Sequence, residues 1–127
     1  MNKVLLVDDD VEFSEATKLL LDSKGYEVVL AYDGKKGLEK VRADKPDLVI
    51  LDVMMPEMNG YDVCVVLKAD PELKKLPVIL LTAVDQALFK TTYTQAMGLM
   101  TEADDYIAKP VEPGELVNRV EGLLRRT

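Results

Sequence analysis

Five residues of this 127-residue chain have the types and placement to do chemistry together: Asp8, Asp9, Asp52, Thr82 and Lys109. Each stands where an apolar run ends. KVLLV (3–7) leads into Asp8, Asp9 and Asp10, and LVIL (48–51) leads into Asp52. PVILL (77–81) leads into Thr82 and Ala83, and DYIA (105–108) into Lys109 and Pro110. Runs of this kind fit strands buried on both faces of a parallel sheet. Open α/β sheets bind ligands in the crevice outside the carboxyl ends of their strands. Adjacent carboxylates repel one another, and hard divalent cations such as Mg²⁺ favour clustered carboxylate oxygens. Three acids, a hydroxyl and an ammonium at one crevice therefore read as a site holding a divalent metal and a phosphoryl group together. Asp10 has a simpler explanation, since an acid just before Val11 suits the start of a helix.

The elements that must position these residues alternate regularly. A helix is predicted over Val11–Lys24, with Phe13, Ala16, Thr17, Leu20 and Leu21 as one core-facing stripe and Gly25 as its cap. Strand two is YEVVL (26–30), followed by a turn at Asp33-Gly34 and a short second helix carrying Leu38 and Val41. Pro56, Asn59 and Gly60 give a turn after Asp52, and a third helix runs to Ala69, closed by Asp70-Pro71. A long helix is predicted over 85–101, and a last one from Pro113 to Arg125 with Leu116, Val120, Leu123 and Leu124 on one face. Five strand–helix alternations argue a parallel sheet with helices on both faces. Right-handed crossovers leave few topologies, and the flavodoxin-like, doubly wound (βα)5 order 2-1-3-4-5 is the common one at this size.

Composition narrows the function. Apolar residues make up 48% and charged residues 31%, which is the range of a folded globular domain. The length fits one domain that buries roughly two thirds of its unfolded surface. A net charge of −7 argues against direct nucleic-acid contact, which needs a basic footprint. The chain has no histidine, which removes Ser-His-Asp and Cys-His catalysis and histidine-ligated metals. Its one cysteine, Cys64, cannot form an internal disulfide and reads as a core thiol among Val63, Val65 and Val66. No run suits a signal peptide or a membrane span, so the expectation is a cytoplasmic protein.

Five stretches, VLLVDDD, AYDG, LVILDVMMPEMNG, PVILLTA and DDYIAKPVEPGEL, occur in order on these elements. With them the sequence resembles the receiver domain of two-component response regulators over essentially its whole length, as a single domain (1–127) that stands alone or belongs to a longer regulator. The resemblance implies roles by position. Asp52 is the phosphoacceptor. Asp9 binds Mg²⁺ (or Mn²⁺) directly, Asp8 assists through water, and Asp52 with the backbone carbonyl of Met54 completes the ligand set. Lys109 pairs with Asp52 at rest and with phosphoryl oxygens afterwards. Thr82 and the amide of Ala83 bond the phosphoryl group, and Lys109-Pro110 is a cis peptide. Thr82 and Tyr106 form the switch, read out by the helix over 85–101, strand five and the last helix. The implied donor is a histidine kinase or histidine phosphotransfer protein, and the implied receiver of the signal is a downstream protein or a fused output domain. Catalysis is confined to the domain's own phosphorylation and dephosphorylation, so it is not an enzyme in the ordinary sense.

The chain departs from the family pattern in two places. Between Thr82 and Lys109 it is a few residues longer than most receivers, with Glu102-Ala103 in place of glycine-alanine. The helix predicted there is apolar on two sides, through Ala87 and Leu88 and through Phe89, Tyr93, Met97 and Met100. The second side is expected to be a partner or homodimer surface, or else to bury an extra helical turn. Met54 and Val84 flank the path of hydrolytic water in this family and are apolar here, so slow loss of phosphate is expected. Two other classes remain open: a receiver-like module that binds proteins without phosphorylation, and a Mg-dependent phosphatase with an aspartate nucleophile. The phosphatase normally needs an acid two residues past the nucleophile, where this chain has Met54. A flavodoxin needs a hydroxyl- and glycine-rich phosphate loop where this chain has three aspartates.

Overall fold

The structure is a computed structural model that describes residues 2–82 and 103–125. The predicted helix over 85–101 lies outside the described residues, together with Ala83, Val84, Phe89, Tyr93 and Glu102. Five parallel strands form one sheet in the order β2-β1-β3-β4-β5. They are β1 (Lys3–Val7), β2 (Glu27–Ala31), β3 (Leu48–Asp52), β4 (Val78–Thr82) and β5 (Asp105–Ala108). This is the flavodoxin-like arrangement expected from the alternation.

Side chains alternate across the sheet, and each face receives its own helices. Val4, Leu6, Ile50, Ile79 and Leu81 pack on one side with Leu21 of α1 (Val11–Ser23) and with Leu116 and Val120 of the C-terminal helix (Pro113–Arg125). Leu5, Val7, Leu51 and Leu80 pack on the other side with Val41 of α2 (Gly34–Asp44) and with Val63, Cys64 and Leu67 of α3 (Gly60–Ala69). Burial on both faces explains why β1, β3 and β4 are unbroken apolar runs. The acids at the ends of β1 and β3 and Thr82 at the end of β4 mark where those runs emerge.

Several boundaries differ from the expectation. Strands β2 and β4 each sit one residue later than predicted, because Glu27 pairs with Lys3 and Val78 with Val49. Thr82 is thus the last strand residue rather than the first loop residue. Asp33-Gly34 is a helix start and not a turn: the Asp33 carboxylate accepts the Lys36 N–H at 2.8 Å. Helix α1 ends at Ser23, and Gly25, at φ +93, closes it with two reversed backbone bonds to Asp22 and Leu21 through its own N–H and that of Tyr26. On α1 it is Ser14 rather than Ala16 that faces inward; Ala16 is exposed. On the C-terminal helix Val117 joins the buried face, while Leu124 is only partly buried.

Asn59 and Gly60 have separate jobs at the start of α3. Asn59 and Asp62 form a reciprocal capping box, with bonds of 3.0 and 3.2 Å. Gly60 lies against β3 so closely that a Cβ there would sit 2.5 Å from the Asp52 carbonyl oxygen. Its missing side chain is what lets α3 begin directly beside the backbone of the key carboxylate.

Candidate functional site

The ends of β1, β3, β4 and β5 bring Asp8, Asp52, Thr82 and Lys109 to one edge of the sheet. Asp8 is fully buried and Asp52 is 3% exposed, whereas Asp9 is exposed. Oxygens of Asp8, Asp9 and Asp52 all lie within 4.8 Å of one another. Such a set of hard oxygen donors suits a divalent cation like Mg²⁺, which prefers carboxylates and water. Lys109 answers the same charge from the protein side. Its ammonium is 2.9 Å from Asp8 Oδ2 and 3.4 Å from Asp52 Oδ1, and it lies 5.0 Å from the centre of the Phe13 ring.

The backbone holds each carboxylate in place. Asp8 extends the β1–β2 ladder by donating its N–H to the Ala31 carbonyl at 3.0 Å. Its Oδ1 accepts the Asp10 N–H at 2.9 Å, and its own carbonyl accepts from the buried Ser14 hydroxyl at 3.3 Å. Asp10 caps α1 by accepting the Phe13 N–H at 3.0 Å, as its position suggested. Asp52 Oδ1 accepts the Met54 N–H at 3.3 Å. The loop after it folds back through bonds from Met55 and Gly60 N–H to the Val53 carbonyl, and Glu57 adopts φ 65 within it. Met54 itself is 58% exposed at the rim of the crevice.

Electrostatics in this cluster are unbalanced. Burial, and then the neighbouring charge of Asp8, push the Asp52 carboxyl up to about 6, against the pull of Lys109 and the Met54 N–H. Burial alone would lower Lys109, but its hydrogen bond to Asp8 and the charges of Asp8 and Asp52 outweigh it and raise it. An added divalent cation therefore meets carboxylates that lack enough positive charge.

Thr82 is buried, and its Oγ1 has no hydrogen-bond partner among the described residues. A buried hydroxyl of this kind can donate to an acceptor placed beside it. The Lys109–Pro110 peptide is cis, and the Lys109 N–H donates to the Thr82 carbonyl. Tyr106 is half-buried against the α2–α3 side of the core; burial raises its phenol, with Cys64 and Tyr61 adding to the effect. Ala83 and Val84 lie outside the described residues. Sequence reasoning did not assign Phe13, Ser14 or Gly60 to the site. Phe13 belongs to the apolar stripe of its helix, and Ser14 falls off that stripe. The closeness of Gly60 to Asp52 depends on tertiary packing.

A flavodoxin-like sheet whose carboxyl edge gathers an acid cluster and a lysine is an α/β domain with its polar site at the strand ends, and comparison with known proteins gives its family. The family model for the response regulator receiver domain matches residues 4–121, and the chain belongs to that family. It is 44% identical over 98% of its length to the DNA-binding response regulator MtrA of Mycolicibacterium paratuberculosis, covering 52% of that protein. It is 44% identical over its full length to the transcriptional regulatory protein CpxR of Escherichia coli, covering 51% of it. The chain thus spans about half the length of the curated relatives it matches. Among solved structures, the signal receiver domain of a histidine kinase from Syntrophus aciditrophicus superposes with a TM-score of 0.87 at 34% identity, covering 100% of this chain and 92% of that one. The receiver domain of a Francisella response regulator gives 0.84 at 32%, covering 99% and 98%.

The raised carboxyl predicts a pH signature. Between the unfolded value of 3.8 and about 6, folded Asp52 retains a proton that the unfolded chain releases. Metal-free stability should therefore fall as pH rises through this window, by up to about 3 kcal/mol from this group. Asp52→Asn removes the effect. Thermal melts in EDTA should show the variant more stable than the parent at pH 7.5, with the gap closing toward pH 4. A variant that melts lower at pH 7.5 would refute the reading.

Proposed function

We propose that Asp52 accepts a phosphoryl group from a phosphohistidine of a partner kinase or phosphotransfer protein, in a reaction that requires Mg²⁺ or Mn²⁺. The observation that carries this is the placement of an almost fully buried carboxylate beside Asp8, Asp9 and Lys109 at the sheet edge. An attacking carboxylate oxygen meets a phosphoryl group with its own negative oxygens, so the barrier is chiefly electrostatic and positional. A divalent cation held by Asp8, Asp9, Asp52 and the Met54 carbonyl supplies positive charge to those oxygens when bound.

The chain's own residues do the rest. An Asp52 carboxylate oxygen forms a bond to phosphorus as the P–N bond of the donor breaks, and the electron pair leaves with the imidazole. Met54 N–H and Lys109 hold the carboxylate in place before transfer, and Lys109 then turns its donors toward the new phosphoryl oxygens. The unpartnered hydroxyl of Thr82, with the amide of Ala83, supplies a further donor. Drawing Thr82 toward Asp52 opens space for half-buried Tyr106 to move inward, a packing change biased by local charge. The surface of β5, the C-terminal helix and the segment before β5 is the readout face. We assign the output to a downstream protein or a fused domain, since the relatives are named as a DNA-binding and a transcriptional regulator and are about twice as long. Residues 1–127 act as one receiver domain.

Mass spectrometry of the intact protein after incubation with acetyl phosphate tests this reading. One phosphoryl group should be gained with Mg²⁺ and none with EDTA or in Asp52→Asn. No gain in the parent protein with either acetyl phosphate or a phosphorylated kinase would favour a binding module that works without phosphorylation. Turnover of a phosphomonoester would favour the phosphatase, although the exposed thioether of Met54 offers no proton to a leaving group. The apolar pair Met54 and Val84 should also make the phosphoryl group long-lived. Met54→Asn or Val84→Glu should speed its decay, and an unchanged decay rate in both variants would remove that part of the proposal.

A further inference from the structure

The Lys109 ammonium has an aromatic ring beside it as well as two carboxylates. The centre of the Phe13 ring is 5.0 Å away, inside the limit of about 6 Å at which a cation is drawn to a ring face. Both side chains start from backbone that is fixed elsewhere. Phe13 sits in the first turn of α1, where its N–H is held at 3.0 Å by the capping carboxylate of Asp10. The next residue, Ser14, ties the same turn to the Asp8 carbonyl at 3.3 Å. The half-buried ring also packs against the core cluster that contains Leu21, Leu116 and Val120. At the other end, the Lys109 N–H is held by the Thr82 carbonyl at the end of β4.

From the Lys109 anchor runs a flexible four-carbon stem that ends in a point charge. Hydrogen bonds to Asp8 and Asp52 fix such a group only while those acceptors stay in place. In the proposed transfer they do not, because Lys109 turns from Asp52 to the new phosphoryl oxygens. A ring face attracts the charge itself and not a particular N–H, so its hold persists while the hydrogen bonds change partners. An aliphatic side chain of similar bulk would fill the same space without that attraction.

We propose that Phe13 is a positioning residue for Lys109, restraining its ammonium beside Asp8 and Asp52 at rest and keeping it within reach of the phosphoryl oxygens during transfer. The second half rests on the phosphoacceptor role of Asp52; the first half does not. Phe13 and Phe89 are the two phenylalanines of the chain, so a Phe89→Leu background leaves Phe13 alone to be replaced by fluorinated phenylalanines. Fluorine withdraws charge from the ring face with little change of shape, so packing is kept while the attraction for a cation is weakened. With one, two and three ring fluorines, phosphorylation by acetyl phosphate and Mg²⁺ should slow progressively, to about threefold to tenfold below the unfluorinated protein. The melting temperature should hold across the series, and Phe13→Leu should lose about as much rate as the trifluorinated ring. In the metal-free, unphosphorylated protein, ¹³C relaxation at Lys109 Cε should report a progressively more mobile side-chain end. Relaxation that stays flat across the series would overturn the restraint and the proposal with it. Relaxation that changes while the rate stays flat would overturn the role in transfer. A parent protein that gains no phosphoryl group would contradict the phosphoacceptor role of Asp52 instead, and the relaxation series would still decide whether the ring restrains Lys109.

Discussion

One ammonium group holds the functional end of this domain together. Lys109 reaches from the end of β5 to carboxylates at the ends of β1 and β3, at 2.9 Å from Asp8 and 3.4 Å from Asp52. Both acids are out of water, and a third, Asp9, stands beside them. Taking two carboxylates from water and offering them one cation leaves the cluster short of positive charge. The sheet tolerates this because its apolar strands bury enough surface to fix the backbone regardless. The shortfall suits the place to a divalent cation, which the three clustered carboxylates could hold.

The surrounding structure keeps this arrangement rigid without filling it. Backbone N–H groups of Asp10 and Met54 orient the two buried carboxylates, and the Ser14 hydroxyl anchors the Asp8 carbonyl. Gly60 lets α3 start against the Asp52 backbone, and Gly34 lets α2 start against the Met58 carbonyl, where a Cβ would approach to 2.7 Å. The Phe13 ring lies 5.0 Å from the Lys109 ammonium and adds a contact that uses none of its hydrogen bonds. Among the described residues, the Thr82 hydroxyl is the one buried side-chain nitrogen or oxygen without a hydrogen-bond partner.

Much of this was legible in the sequence because burial on both faces forces apolar runs, and an acid or hydroxyl at the end of each run stands out. The strand order, the capping role of Asp10 and the gathering of Asp8, Asp9, Asp52, Thr82 and Lys109 follow from that pattern and from the family resemblance. What remained illegible depends on three-dimensional closeness. Periodicity cannot tell Ser14 from Ala16 on a helix crossing a sheet at an angle, and it reads Phe13 as core when its ring also faces Lys109. Asp33-Gly34 and Asn59-Gly60 look like turns because the same residue types cap helices. The starts of β2 and β4 fall one residue later because Tyr26 and Pro77 extend the apolar run just ahead of the first paired residues, Glu27 and Val78. Which carboxylate lies nearer to Lys109 is a matter of tenths of an ångström, and spacing along the chain carries no such information.

The most direct test of the electrostatic claim is a ¹³C NMR pH titration of the aspartate carboxyl groups, with and without Mg²⁺. Asp52 should titrate near 6 in the metal-free protein. Saturating Mg²⁺ should shift that midpoint downward. An Asp52 that titrates near its ordinary value in both conditions would contradict the view that the site is a carboxylate cluster short of positive charge.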